Sequence, residues 1–214
     1  MGFPSIETIL YTLPAFVMAI SFHEFAHAWV ADKLGDHTAR FAGRMTLDPR
    51  SHFDVFGFLL FIFAGFGWAK GVPYNSNNFN CNKRLGTILV SIAGVTANLL
   101  LAFISAVIYY GLLIFDLSLA IGPIGNLIEK IFIYNIVFMV FNLLPIPPLD
   151  GSKIVAALIP GDFEEVLNAV NPYGMFILIG LIYLGWIDKV MPRLIDGAMN
   201  GISGIVEFLL SLFF

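Results

Sequence analysis

Residues 6–31 read IETILYTLPAFVMAISFHEFAHAWVA. The run exceeds the roughly 18 residues that mark a membrane helix and can span a bilayer with modest tilt. Near its C-terminal end it carries three ionisable side chains within five positions: His23, Glu24 and His27. Each costs roughly 2 kcal/mol or more in hydrocarbon unless it is paired or faces water, so their placement together demands a shared purpose. Residues four apart share one face of a helix, which lets His23 and His27 grip one metal ion from adjacent turns. Glu24 is the neighbour that reaches a water on that ion. Neutral imidazoles hold Zn²⁺, the ion draws the pKa of its water towards about 7, and the carboxylate takes the proton during attack on a carbonyl. The plainer alternative is two ordinary histidines at a membrane edge.

Composition agrees with a membrane setting. The chain has 214 residues, 58% hydrophobic and 12% charged, which is more apolar surface than one soluble core of this size hides. The net charge of -4 comes with no basic patch of the kind that binds phosphates, so nucleic acid is excluded as a partner. Cys81 is the single cysteine, which excludes an intrachain disulfide and a thiolate metal cluster; any metal rests on His and carboxylates. The first apolar run lacks a basic n-region and is too long for a signal-peptide core, so it is expected to remain as a span.

The stretch from Asp32 to Asp54 is polar and holds Lys33, Arg40, Arg44 and Arg50 close to the membrane end, which marks that side as cytoplasmic and the N-terminus as extracytoplasmic. Val55 to Ala69 is apolar but short, broken by Gly57, Gly65 and Gly67, with basic residues on both flanks (Arg50 before; Lys70, Lys83 and Arg84 after). That pattern predicts a re-entrant segment, which dips in and returns under protein cover. Within Trp68-Ala-Lys-Gly-Val-Pro-Tyr74, alternating bulky and small residues with a Gly and a Pro predict an extended, β-like edge, and the N–H of Val72 is its candidate contact to an unwound substrate. The alternative is a mere connector.

Further spans are predicted at Thr87 to Phe115 and at about Asn126 to Leu144, the second stopped by Pro145, Pro147 and Pro148. Asp162 to Glu165 reads as a capped short helix ended by Asn171-Pro172, and Tyr173 to Ile187 begins a fourth span. In the tail, Arg193, Asp196, Asn200, Ser203, Glu207 and Ser211 recur at steps of three and four, giving a helix with one polar stripe. It spans, lies in the interface or packs that stripe on the bundle. The fold class is therefore an all-α polytopic membrane protein, a helical bundle of about four to five spans with a re-entrant segment and a short β-like piece near the active site. Residues 1–214 form one membrane-embedded domain, with a catalytic core at about 6–155 and C-terminal helices at 163–214.

Two histidines leave zinc short of the three protein ligands of a catalytic site. His37, His52, Asp36, Asp48 and Asp54 lie in a Gly/Pro-interrupted stretch that suits a solvated loop. Asp150 follows a span and a rigid proline turn, in Phe-Asn-Leu-Leu-Pro-Ile-Pro-Pro-Leu-Asp150-Gly, where irregular backbone at membrane depth lines a cavity. Alone, it also reads as a turn aspartate before glycine.

These pieces together, HEFAH, GRMTLDP, GWAKGVP, the GVTAN of Gly94 to Asn98, and NLLPIPPLDG, occur across about residues 15–155 in an order that resembles the site-2 protease family of intramembrane zinc metalloproteases. The resemblance implies one Zn²⁺ ion held by His23, His27 and Asp150, with Glu24 as general base. It maps Asn142 onto a residue that holds the substrate backbone or oxyanion, and it suggests Asn98 at the substrate. Val95 and Gly71 stand where the family often has proline; both positions shape backbone more than chemistry. No PDZ-like or other soluble regulatory module is expected in cis.

The function implied is hydrolysis of peptide bonds in transmembrane protein substrates, within or near the bilayer, as in regulated intramembrane proteolysis. In a prokaryote the enzyme would sit in the cell membrane with its active site towards the cytoplasm. Two other classes compete: a metal transporter, which needs ligands spread over several spans, and a proteolytically inactive relative that binds membrane proteins, which would lack the glutamate or a ligand.

Overall fold

The computed structural model describes residues 5–64, 67–159 and 163–213. Ten helices are described: α1 (Ile6–Lys33), the single turn α2 (Thr38–Phe41), α3 (Val55–Ala64), α4 (Lys83–Phe115), the single turn α5 (Leu117–Ala120), α6 (Pro123–Asn142), α7 (Asp150–Leu158), α8 (Phe163–Val170), α9 (Gly174–Tyr183) and α10 (Trp186–Ser211). Five stretches are long and apolar enough to cross a membrane: α1, α4, α6, Glu165–Tyr183 and α10. Large apolar side chains such as Leu100, Ile104, Phe176 and Phe208 face outward, as expected where the surrounding solvent is hydrocarbon.

Local chemistry sets the ends of these elements. Ser5 caps α1 through the Thr8 N–H at 3.1 Å. Asn82 caps α4 by accepting the N–H groups of Arg84 and Leu85, so α4 starts a full turn before the expected Thr87 and takes Lys83 and Arg84 with it. Pro123 sits in the first turn of α6, where its missing N–H costs nothing, so α6 begins ahead of the expected Asn126. The fourth span ends sooner than expected: Gly185, at φ +67°, adopts the left-handed conformation that only glycine takes freely, and α10 begins at Trp186. The expected cap at Asp162 lies outside the described residues.

α4 is the central helix. It packs against α6, α1, α7 and α10, and the main core forms around Ala102, Ala106, Phe132, Ile136 and Met139, with Met191, Ile202 and Val206 from α10. The tail helix thus turns its apolar face to α4 and α6, while Asp196, Asn200 and Glu207 of its polar stripe stay exposed. On α1 the residues at steps of four, Ala15, Ala19, His23, His27 and Ala31, are all buried. The three alanines let neighbouring helices approach closely, and the two histidines occupy the same stripe.

α3 has ten residues, about 15 Å at helical rise, half of a hydrocarbon core about 30 Å thick. Its flanks meet: the Lys70 N–H donates to the His52 carbonyl at 3.0 Å. Residues 65–66 of the expected re-entrant segment lie outside the described residues. Residues 67–75 are irregular, and no strand occurs among the described residues.

Candidate metal centre

α1 brings His23 and His27 to the face of α4, and the first residue of α7, Asp150, closes the group from the third side. The Asp150 Oδ2 atom lies 3.1 Å from His23 Nε2 and 2.9 Å from His27 Nε2, and the two Nε2 atoms are 2.9 Å apart. All three residues are buried, and their ligand atoms lie within 4.8 Å of one another.

Proton positions follow from the partners on the far side of each ring. Asn98 Nδ2 donates to the Ala19 carbonyl at 3.0 Å and to Asn135 Oδ1 at 2.8 Å, which leaves Asn98 Oδ1 as an acceptor for His23 Nδ1 at 2.7 Å. His27 Nδ1 faces the Val90 carbonyl at 2.7 Å, and a carbonyl only accepts. In its neutral form each ring therefore carries its proton on Nδ1 and presents an Nε2 lone pair to Asp150 Oδ2. Three acceptors turned towards one point are a poor hydrogen-bond set and a good cation site. Two imidazoles and one carboxylate match the ligand set of catalytic zinc, and the Nδ1 partners are the outer contacts that fix the orientation of metal-binding histidines. The donor set fits the ion.

One stripe of α4 serves both rings. Val90, Gly94 and Asn98 are four apart, and a Cβ on Gly94 would lie 2.5 Å from His27 Nε2 and 2.7 Å from His23 Cε1. Only a hydrogen fits there. The GVTAN piece is thus a seat for the two histidines. Asn98 is fully buried behind His23, a placement that replaces the substrate-facing position suggested by sequence. The roles of Gly94 and the Val90 carbonyl were missed, although the four-residue spacing of Gly94 and Asn98, equal to that of the histidines, was a visible signal.

A cavity of about 360 Å³ opens on the group, lined among others by Glu24, Val72, Asn142, Phe138 and Lys153. Glu24 Oε2 accepts the N–H of Val72 at 2.8 Å, so the group expected on a free edge is already bonded to the neighbour of the histidines. Asn142 is on the cavity wall, and its Nδ2 donates to the Phe138 carbonyl one turn back at 3.0 Å. Lys153 Nζ donates to Asp150 Oδ1 at 2.9 Å. Burial alone would lower the Lys153 ammonium, but Asp150, with Tyr74 and Glu24, holds it above the ordinary lysine range.

The stretch 36–54, read as a solvated loop, is corrected at two positions. Asp36 is fully buried and His52 nearly so. Asp36 accepts from the Thr38 hydroxyl, the Asn75 N–H and the Asn78 amide, and His52 Nε2 donates to the Thr46 carbonyl at 2.8 Å. Neither joins the His23, His27 and Asp150 group; both fasten the loop.

Comparison with known proteins agrees with this chemistry. The chain is 38% identical over 174 residues to "Putative zinc metalloprotease YwhC" of Bacillus subtilis, covering 80% of this chain and 79% of the relative. It is 33% identical over 203 residues to Rip2 of Mycobacterium tuberculosis, named in the same way, covering 89% of this chain and 74% of the relative. No solved structure matches it significantly. Residues 11–117 and 113–181 match peptidase family M50, the family of the site-2 proteases, and the chain, a multi-pass membrane protein with a candidate His/Asp metal site, belongs to that family.

Proposed function

We propose that this protein is an intramembrane zinc endopeptidase that hydrolyses peptide bonds of transmembrane protein substrates, with one ion held by His23, His27 and Asp150. The observation that carries the reading is the convergence of three acceptor atoms, two from α1 and one from the start of α7, each anchored from behind or beside by its own partner. When bound, zinc supplies a Lewis acid for the scissile carbonyl and draws the pKa of a water towards about 7. Glu24, on the same cavity, accepts the proton of the attacking water, and the Val72 N–H holds its carboxylate in place. Asn142, which lines the same cavity, offers its amide to the substrate backbone or oxyanion. The aromatic wall around Phe16, Phe61 and Tyr134 receives the apolar part of an unwound substrate helix, and α3 supports that wall as a re-entrant element.

The test is cleavage of single-span membrane proteins by the purified enzyme. Wild type is expected to cleave and to stop when a zinc chelator is added; Glu24→Gln is expected to keep zinc and lose at least about a hundredfold in rate, since the amide cannot take the proton. A Glu24→Gln variant within a few-fold of wild type removes the general base from this account, and metal-dependent ion flux without cleavage would favour a transporter. The basic residues between Lys33 and Arg84 support a cytoplasmic position for the loops and an extracytoplasmic N-terminus. In a Cys81→Ser background, labelling from outside intact cells is expected for Ser5→Cys and not for Ser76→Cys, and the reverse pattern inverts the topology.

A further inference from the structure

Lys153 has no place in the ligand set or in the base chemistry, yet among the described residues it is the one Lys or Arg in contact with that set. It stands one turn after Asp150 on α7, and its Nζ donates to Asp150 Oδ1 at 2.9 Å. The other oxygen of the same carboxylate, Oδ2, is the one that faces both histidines. The Asp150 side chain is 5% exposed, so water does not compete freely for Oδ1. On its far side, Lys153 Nζ lies 5.8 Å from the centroid of Tyr74, within range of a cation–π contact. The ammonium is thus held between the ring of the 67–75 segment and one oxygen of the aspartate.

A carboxylate with two free oxygens can bind an ion through both or swing between them. One whose Oδ1 is occupied by an ammonium presents Oδ2 alone. We propose that Lys153 is a positioning residue of the metal centre: it fixes Asp150 as a one-oxygen ligand and keeps the remaining coordination space of the ion open for water and the scissile carbonyl. This rests on the reading of His23, His27 and Asp150 as the ligand set. It differs from an ordinary surface pair three residues apart on a helix, which supports the helix weakly and an ion not at all.

Zinc affinity of the detergent-solubilised full chain, measured by competition with a chromophoric chelator, separates the two. Lys153→Met, which keeps an unbranched chain one atom shorter and removes the charge and the donor, is expected to bind zinc about 10–100-fold more weakly, the usual cost of losing an outer-shell partner. Lys153→Arg, which restores a donor and a charge, is expected to remain close to wild type. A Lys153→Met protein that binds zinc as tightly as wild type overturns the proposal. Asp150→Ala in the same titration tells the two failures apart: if it too keeps wild-type affinity, the ligand assignment falls; if it loses zinc while Lys153→Met does not, only the role of Lys153 falls. A second measurement needs no variant. X-ray absorption at the zinc edge of the wild-type protein is expected to show the carboxylate bound through one oxygen, and two-oxygen binding would equally overturn the proposal.

Discussion

Two buried carboxylates, Asp36 and Asp150, solve the same problem in opposite ways. Asp36 sits beyond the end of α1 and collects donors: the Thr38 hydroxyl and N–H, the Asn75 N–H and the Asn78 amide. Its charge is spread over neutral hydrogen bonds, and nothing further is needed. Asp150 has one donor, Lys153, on Oδ1, while Oδ2 is surrounded by imidazole lone pairs. A buried anion among acceptors is a costly arrangement unless a cation joins it. Burial alone therefore does not distinguish a fastener from a ligand; the polarity of the partners does.

The comparison breaks most visibly at Asp150. Asp150→Ala is expected to reduce bound zinc from near one equivalent per chain to a small fraction, with peptidase activity lost, as metal analysis of purified protein would show. Zinc retained in that variant would make Asp150 another fastener.

Gly94→Ala attacks the seat of the histidines without touching a ligand. Its methyl group has to displace both rings, and zinc affinity is expected to fall about 10–100-fold, the range seen when the supports of metal ligands are disturbed. Affinity unchanged in a chelator titration would mean that α1 shifts away from α4 at little cost.

Asp36→Ala gives the opposite profile. Zinc affinity is expected to hold while stability falls by about 1–3 kcal/mol, since the Thr38 and Asn75 N–H groups lose their acceptor; denaturant unfolding in detergent measures it. Burial alone would raise the Asp36 carboxyl, but hydrogen bonds from Thr38, Asn75 and Asn78 hold it below its ordinary 3.8. Its stabilisation is thus complete above that value and is lost as pH falls through the lower folded one. The acid limb of the stability profile should flatten in Asp36→Ala, and an unchanged limb would place the titrating group elsewhere.

Much of this site was legible because its chemistry is local. His23 and His27 share a face by spacing alone, and the run around them is too apolar to excuse three ionisable groups. Asp150 needed the whole NLLPIPPLDG context, since a turn aspartate before glycine looks the same in isolation. Gly94, the Val90 carbonyl and Lys153 were not legible as site residues, because each acts across a helix contact that periodicity does not reveal. Asp36 and His52 were misread for the same reason: a polar stretch with glycine and proline looks solvated until its partners, Asn75 to Asn78 for the one and Thr46 for the other, are in place. The number of spans was accessible, whereas the ends of α4, α6 and α9 were set by Asn82, Pro123 and Gly185, single residues with more than one local reading.

The smallest expected effect falls where the two carboxylates communicate. Asp36 ties Asn75 and Asn78 to the end of α1, and Arg44 donates to the Lys70 and Gly71 carbonyls. Between these two anchors the chain passes Val72, whose N–H meets Glu24 Oε2. The fastening carboxylate therefore helps to place the backbone donor that orients the proposed base. Val72→Pro removes that donor and leaves both anchors intact. A neutral hydrogen bond to a charged acceptor contributes about 1.5–3 kcal/mol, but water reaches this cavity and replaces part of it, so a loss of several-fold in kcat is expected with zinc content unchanged. If cleavage fell only through a raised KM, the segment would act as an edge that pairs with the substrate, as its sequence first suggested. A fall in kcat with KM unchanged assigns Val72 to the orientation of Glu24. Full activity would show that Glu24 holds its position without help from the loop, and the link between the two carboxylates would then be one of proximity alone.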